Sequence, residues 1–483
     1  MSLLTDLYQL TMACGYWRAG IAEREAVFDL TFRTHPFAGG FSVACGAARA
    51  IAYLKALRFD ESDRAYLTEL KGNDEQRLFD DDFLERLRGF EFGCDVDGIP
   101  EGTVVFPQEP LVRVKGPLWQ AQLLETALLN ILNFETLIAT KAARVALAAQ
   151  GEPVLEFGLR RAHGVDGGLT ASRAAYIGGC AGTSNVLAGK LFGIPVKGTH
   201  AHSWVMAFAS ELESFEAYAS AMPGNSILLV DTYDTIEGIR RAIEVGKKLR
   251  ARGYRFAGIR LDSGDLSKLS IDARRLLDKA GFPKAVIVGS GDLDEYAIAE
   301  LKQRGAKIGV WGVGTKLSTG HDDSALGGVY KLSAIRDAAG AWQYKVKLSE
   351  QMVKMSNPGI LQVKRFWREG RPIADVVFDE PTPPKGEWVL VDAAKPSRRV
   401  AVPADAEAEN LLVPLFRAGR AVFEPPSAEE ARQRALDQVG RLDERFKRLR
   451  NPEIYPVGLE QGLFQIRQEI IASIKQGELQ KTR

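Results

Sequence analysis

Cysteine is scarce: Cys14, Cys45, Cys94 and Cys180 are the only four in 483 residues, and no two of them form a CxxC pair. That spacing excludes a disulfide framework and argues against a structural zinc site. Charge of one sign is missing as well. The 63 basic and 62 acidic side chains leave a formal charge of +1, which gives no broad electrostatic footprint for nucleic acid or a membrane surface. Any anionic partner must be met by a local site. Nowhere do 18 apolar residues run together without a charge, so no membrane span is expected. The first residues, MSLLTDLYQLTMACGYW, lack the basic start and apolar core of a secretory leader, and the expected location is the cytoplasm. Low-complexity segments and strong internal repeats are absent too. What the chain has in excess is glycine: 47 residues, nearly one in ten, against a usual ~7%. Such an excess suits tight turns and close approach of backbone to a ligand.

The length allows two or three domains with sizeable cores. The middle of the chain repeats one grammar, a short apolar run, a glycine or polar turn, then an amphipathic helix. The runs are PVLEF (153–157), GGCAG (178–182), IPVKG (194–198), SILLVD (226–231), FAGIRLD (256–262), AVIVGS (285–290) and KIGVWG (307–312). Helix-length segments such as TIEGIRRAIEVGKKLRARG (235–253) and LDEYAIAELKQRG (293–305) separate them, the second with Asp292 as N-cap, Glu295 three residues on and Gly305 as its stop. Seven βα units in a row predict a parallel sheet closed as a barrel over residues 146–335, with a doubly wound open sheet as the alternative. Residues 1–145 read as an α+β domain, from VFDLTFR (27–33), GTVVFPQEPLVRVKGPL (102–118) and one long helix-like run over 118–150. Strand patterns return in WQYKVKL (342–348), QVKRFW (362–367) and EWVLVD (387–392), and are expected to rejoin that first domain across about 336–400. Residues 401–483 are expected to be a helical extension, in which SAEE at Ser427 is a capping box. The fold class is therefore α/β: an irregular, incomplete barrel of the TIM type with an N-terminal α+β domain and a C-terminal extension.

In a parallel barrel the polar residues at the C-terminal ends of the strands share one pocket. Here they are Arg160 and Arg161; Thr183, Ser184 and Asn185; His200 and His202; Asp231 and Asp234; Arg260, Asp262 and Asp265; Ser290 and Gly291; and Gly312, Gly314 and Thr315. Taken singly, Asp234, Asp265 and Thr315 are better explained as helix caps. GSGD (289–292) and GVGT (312–315) are glycine turns at positions where barrels hold a phosphate on backbone N–H groups. RLDSGD (260–265) adds carboxylates suited to a ribose diol or a hydrated magnesium ion, with Arg260 available for an anion or for an ion pair with Asp262. Two of the five histidines stand together in KGTHAHSW (197–204). Three roles fit that spacing: a metal-binding pair on one strand face, two imidazoles with separate jobs of which one is a nucleophile, or one satisfied core histidine beside a loop histidine.

Several stretches together carry a resemblance: TDLYQLTMACGYW (5–17), FRTHPFAGGFSVACG (32–46), EGTVVFPQEPLVRVKGPL (101–118), EFGLRRAHGVDGGLTASRAAYIGG (156–179), GTSNVLAG (182–189), GTHAHSW (198–204), RLDSGDL (260–266) and GVGTKL (312–317). By these motifs, in this order, the chain resembles the nicotinate phosphoribosyltransferases over nearly its whole length. The resemblance implies the type II phosphoribosyltransferase fold and a homodimer with active sites shared at the subunit boundary. It implies that nicotinate and 5-phosphoribosyl 1-diphosphate give nicotinate mononucleotide and pyrophosphate, the first step of NAD salvage from nicotinate, with ATP hydrolysis coupled through a transiently phosphorylated histidine. Mg2+ is the implied cofactor and ATP a co-substrate, with no zinc, haem or flavin.

Carried onto this chain, the phosphorylated histidine is His202, with Asp231 as the acceptor that orients it; His200 falls at a variable position and is given no catalytic role. For nicotinate the resemblance points to Tyr8 from the partner subunit and Phe157 for the ring, while the carboxylate's need for cations or donors points to Arg260 and Ser184. In the similar nicotinamide-using enzymes an aspartate stands where Ser184 does, which favours the acid over the amide here. Arg160, Arg161, Asp262, Ser290, Gly291, Gly312, Gly314 and Thr315 are expected around the phosphoribosyl diphosphate, with Arg33 reaching it across the dimer and Asp231 and Asp262 as magnesium ligands. A barrel metallohydrolase is a rival class, but only His35, His163 and His321 remain to complete a zinc site. A nucleotide-sensing protein without turnover is another.

Overall fold

The structure, a computed structural model, describes residues 2–351 and 355–481. The chain forms two compact units, one of Met1–Leu137, Ala325–Pro426 and Asp437–Arg483, the other of Ile138–Ser324 and Ser427–Leu436. Among the described residues no helix is long and apolar enough to cross a membrane.

In the first unit a seven-stranded antiparallel sheet runs in the order Trp342–Tyr344, Gly328–Arg336, Glu25–Phe32, Val112–Pro117, Asp95–Gly98, Val413–Arg417, Arg420–Ala421. A six-stranded sheet joins Arg399–Ala401, Val389–Val391, Val457–Glu460, Arg371–Asp379, Leu361–Arg368 and Glu407–Asn410. The strands expected in 342–348, 362–367 and 387–392 are thus present, in two different sheets. The tail differs from expectation. Beyond residue 400 it contributes strands to both sheets as well as the helices Ala428–Arg441 and Gln461–Lys481. The reason is burial: Leu411, Leu412, Leu415 and Phe416 are all at most 5% exposed in the core of this unit, which outweighs local propensity. The run over 118–150 is two helices, Leu118–Leu123 and Glu125–Ala149, rather than one.

The second unit holds six parallel strands: β1 (Val154–Glu156), β2 (Gly182–Thr183), β3 (Ile227–Leu229), β4 (Gly258–Leu261), β5 (Val286–Ser290) and β6 (Val310–Val313). Their order in the sheet is β2-β1-β6-β5-β4-β3, with every pairing parallel. Two of the seven expected strands fall short. GGCAG forms strand only from Gly182, because Gly178 ends the preceding helix, Gly164–Ile177. IPVKG makes a single bridge, Val196 to Thr183; its Pro195 has no N–H for a ladder. The inner strands are apolar on both faces, as parallel sheets require: Ile259, Leu261, Ile287, Val288, Trp311 and Val313 are at most 2% exposed. Each such side chain contributes about 1.5–3 kcal/mol.

Helix starts between the strands follow sequence rules. Asp234 caps Thr235–Ala251 through the Glu237 N–H at 2.8 Å, and Asp265 caps Leu266–Lys279 through Ser267 and Lys268. Ser427 and Glu430 form the expected capping box. The cap of Glu295–Gln303 is Asp294, not Asp292; its carboxylate takes the Ala297 N–H at 2.8 Å. Asp292 instead sits in the GSGD turn with φ 39°, and Glu295 is buried against Lys141 and Arg144. Thr315 is the first residue of a four-residue helix whose N-cap is Gly314, with no side-chain cap.

The sheet has two ends, the Val196 bridge beyond β2 and strand β3. On one side β3 pairs with β4, where Val230 N–H reaches the Arg260 carbonyl at 3.2 Å. On its other side the N–H of Leu229 has no strand to bond among the described residues, and Leu229 is 1% exposed. A buried N–H without a partner costs about 1–3 kcal/mol. Nε2 of His200 meets this need, accepting the Leu229 N–H at 3.2 Å. The acceptor must be unprotonated, so the ring proton sits on Nδ1, which faces the Ala201 carbonyl at 3.4 Å. Tyr218 packs edge-on at 4.8 Å and Phe215 at 6.2 Å from the ring. Burial pushes the His200 pKa down to about 4, the Ala201 carbonyl opposing and the Arg260 and His202 charges assisting.

The folded protein therefore resists a proton that the unfolded chain accepts below its ordinary value of 6.5. Stability is unaffected by His200 above that pH and falls as pH drops from about 6.5 toward 4, with a slope approaching about 1.4 kcal/mol per unit. Denaturation midpoints measured across this range for the wild type and for His200→Gln, which keeps an acceptor and cannot titrate, should diverge on acidification. Parallel curves would show that His200 is not held neutral by the fold.

Candidate active site

The C-terminal ends of β1, β2 and β4 deliver Phe157, Ser184, Arg260 and Asp262, and the turn after the Val196 bridge delivers His202, to one cleft of about 310 Å3, shared with Leu159, Arg160, Thr199, His200 and Leu229. That volume lies at the lower end of small-molecule sites.

Arg260 is its organising group. Nε donates to Ser290 Oγ at 2.7 Å, Nη1 to Thr199 Oγ1 at 3.0 Å and Nη2 to Asp262 Oδ1 at 2.6 Å. The ion pair with Asp262 is thus real, but three of five guanidinium protons are used and two remain for a ligand. The guanidinium carbon lies 5.6 Å from the centre of the Phe157 ring, a cation–π arrangement. Ser290 donates to the same Asp262 oxygen at 2.5 Å. Burial alone would raise the Asp262 pKa; the Ser290 hydroxyl and the Arg260 charge outweigh it and hold the carboxyl below its usual range.

His202 opens the short helix His202–Met206. Its Nδ1 lies 3.1 Å from the Thr232 hydroxyl, and its Nε2 lies 3.8 Å from Asp262 Oδ2. The partner expected at the imidazole was Asp231; the structure instead puts Thr232, the next residue, at Nδ1. Asp231 is turned the other way, where its Oδ2 accepts the Asp262 N–H at 2.7 Å and the Ser263 hydroxyl at 2.8 Å. Its other oxygen is buried without a partner among the described residues. A hydroxyl can accept a proton from Nδ1, which leaves the Nε2 lone pair free as a nucleophile. Asp262 stands where an imidazolium formed at Nε2 would be stabilised.

Behind Phe157 lies Glu156, 1% exposed. It accepts the Gly158 N–H, the Ser172 hydroxyl at 2.9 Å and the Thr183 hydroxyl at 2.6 Å, fixing the turns that carry Phe157 and Ser184. Ser184 N–H donates to the Glu156 carbonyl at 2.9 Å. Gly312 has a packing role: a Cβ there would stand 2.8 Å from the Phe157 ring. Gly291 has φ 97° and closes the GSGD turn against the Asp262 carbonyl. Gly314 and Thr315 follow β6 in a turn, with Thr315 exposed. Arg160 lines the cleft, and Arg161, in the same exposed turn, is outside its lining. Tyr8 and Arg33 belong to the first unit, Tyr8 on the helix Leu7–Arg18 and 47% exposed, Arg33 lining a cavity with Gln108, Asn357 and Arg467. In that unit Cys45, Glu101 and Glu135 also converge, but Glu101 accepts the Gly46 N–H at 2.8 Å and Glu135 pairs with Arg49 at 3.4 Å, so both carboxylates already have structural work.

Sequence reasoning missed Thr199, Thr232, Glu156 and the work of His200. For Thr232 the signal was available: VDTYD ends a strand with a carboxylate and a hydroxyl both able to meet an imidazole, and only the carboxylate was considered. Glu156 was hidden because a buried acid inside a strand reads as an edge residue until its three donors are known.

Three family descriptions match in succession: the nicotinate phosphoribosyltransferase N-terminal domain over residues 3–133, the nicotinate phosphoribosyltransferase family over 153–342 and its C-terminal domain over 362–467. The nicotinate phosphoribosyltransferase of Bacillus subtilis (strain 168) is 42% identical over 480 residues, covering 98% of this chain and 96% of the relative. The Homo sapiens enzyme of that name is 36% identical over 520 residues, covering 95% of each. A crystal structure of human nicotinic acid phosphoribosyltransferase superposes with a TM-score of 0.84 at 35% identity, over 98% of this chain and all of that one. Its mixed α/β fold and the ordered motifs agree, and the chain belongs to the nicotinate phosphoribosyltransferase family.

Proposed function

We propose that this chain is an ATP-coupled nicotinate phosphoribosyltransferase. Nicotinate, 5-phosphoribosyl 1-diphosphate, ATP and water give nicotinate mononucleotide, pyrophosphate, ADP and orthophosphate, feeding NAD salvage. The observation that carries this reading is the cleft in which Arg260, still holding two unused N–H groups, lies over Phe157 beside His202. Phe157 offers a face for the pyridine ring. Arg260 and Ser184 offer charge and a hydroxyl to its carboxylate. The ring nitrogen then attacks C1 of the ribose as the bond to pyrophosphate breaks; it carries no proton, so no general base is needed. Placement and stabilisation of developing charge supply the catalysis. Arg160, Arg161, Ser290, Gly291, Gly314 and Thr315 are the groups proposed around the phosphates, while Gly312 acts through the ring it accommodates.

ATP enters through His202. Its Nε2 attacks the γ-phosphorus, a P–N bond forms, the bond to ADP breaks, and water later returns the phosphoryl group as orthophosphate. Phosphorylation changes the charge beside the diphosphate site, which alters its affinity for substrate and product. A hydrated Mg2+ fits here: the partnerless Asp231 oxygen and Asp262 Oδ2 are the atoms that would face it. Bound there, it would neutralise charge on the diphosphate.

The fold behind this site reads as an incomplete α/β barrel, supported by the pairing of β1 with both β2 and β6. A homodimer with shared sites is supported by apolar side chains left bare in each unit: Leu4, Leu7, Tyr8 and Met12 in one, Val165, Val186, Leu187 and Leu191 in the other, all at least 39% exposed. Tyr8 and Arg33 are the residues proposed to reach a partner's cleft. Four buried, unbridged cysteines suit the cytoplasm.

An assay of nucleotide formation from nicotinate, nicotinamide and quinolinate, with and without ATP, tests the reaction; turnover of nicotinamide alone would overturn it. His202→Ala should abolish both ATP stimulation and incorporation of γ-phosphate, and a fully coupled variant would remove His202 from its role. Ser184→Asp should lower kcat/KM for nicotinate by about 10- to 100-fold, the effect of setting a carboxylate against a carboxylate. If sites are shared, mixing Tyr8→Ala with His202→Ala and allowing subunits to exchange should restore about a quarter of the wild type's ATP-stimulated turnover, from random pairing with one intact site per heterodimer. No recovery after proven exchange would place Tyr8 in its own subunit's site.

A further inference from the structure

We infer that His200 is a positioning residue for His202: by accepting the Leu229 N–H it fastens the Gly198–Ser203 turn to β3, and so sets where the phosphorylated nitrogen stands. The inference deepens the functional reading above and rests on it.

The turn is attached to the sheet at three points in four residues. Thr199 Oγ1 accepts from Arg260, His200 Nε2 accepts from Leu229, and His202 Nδ1 meets Thr232. The first and third attachments join side chains to side chains: Arg260 is shared with Ser290 and Asp262, and the Thr232 contact uses the very imidazole that has to be placed. His200 alone of the three grips main chain, at the end strand of the sheet, and it is 7% exposed where His202 is 41% exposed in its side chain. Its ring is wedged by Tyr218 and Phe215 from the helix Glu211–Ala221, and Tyr218 also lies against Trp204 at 5.7 Å, two residues after His202 in the short helix that His202 opens. Movement of the His200 ring therefore moves both flanks of His202.

The chemistry depends on that position. Nε2 of His202 must meet the γ-phosphorus in line with the departing ADP oxygen, with Asp262 Oδ2 only 3.8 Å away. An ångström of drift costs about a hundredfold in such a displacement. A glutamine carbonyl reaches about as far as Nε2 of histidine, whereas asparagine, with the same chemistry, stops one carbon short.

His200→Gln and His200→Asn are compared by incorporation of acid-labile phosphate from γ-labelled ATP, alongside thermal midpoints. The glutamine variant should label within about twofold of the wild type and the asparagine variant at least about tenfold more slowly, with both folded. Equal rates in two folded variants overturn the inference. Loss of labelling in a folded glutamine variant also overturns it, whether or not the asparagine variant folds. His202→Ala in the same assay separates the two levels. Labelling retained there overturns the phosphohistidine reading, whereas labelling absent there but equal in the two His200 variants overturns only the role of His200.

Discussion

A guanidinium in a cleft is costly unless its protons are met, and Arg260 meets three of them on three different segments: Thr199 in a turn, Asp262 after β4 and Ser290 at the end of β5. This one group fixes the relative heights of two strands and a loop, keeps Asp262 ionised and retains two donors for a ligand. The other cleft residues are arranged around it. Phe157 lies beneath it, His202 approaches the far oxygen of its carboxylate partner, and Asp231 holds the backbone that carries that partner.

Much of the second unit was legible because its rules are local. Apolar runs such as AVIVGS and FAGIRLD are buried on both faces, and Asp234, Asp265 and Ser427 cap helices through short-range bonds that a sequence displays. What was illegible depends on distance along the chain. The Val196 segment makes one bridge because Pro195 cannot extend a ladder, yet the apolar pattern there is strand-like. The tail joined two sheets in the first unit through partners more than 300 residues earlier in one case, Val413 beside Gly98. No periodicity reports such pairings.

Within the site, residue identities were readable and their pairings were not. Arg260, Asp262, His202, Phe157 and Ser184 were all named from strand ends and from family motifs, and they line one cleft. Asp231 was expected at the imidazole and Thr232 stands there, because one residue of register along a strand end reverses the side to which a group points. A carboxylate is the stronger acceptor, but Asp231 is occupied by the Asp262 N–H and the Ser263 hydroxyl. Proximity in sequence could not distinguish the two.

Gly312 shows how little of a binding surface needs to be chemistry. It offers no side chain, and the Phe157 ring occupies the room that its missing Cβ leaves. The depth of the cleft floor is therefore set from β6, by a residue that a ligand need never touch, while Phe157 itself belongs to the turn after β1. Replacing the aromatic ring with another would have to be negotiated with a neighbouring strand, so the identity of position 157 and the emptiness of position 312 form a single steric unit.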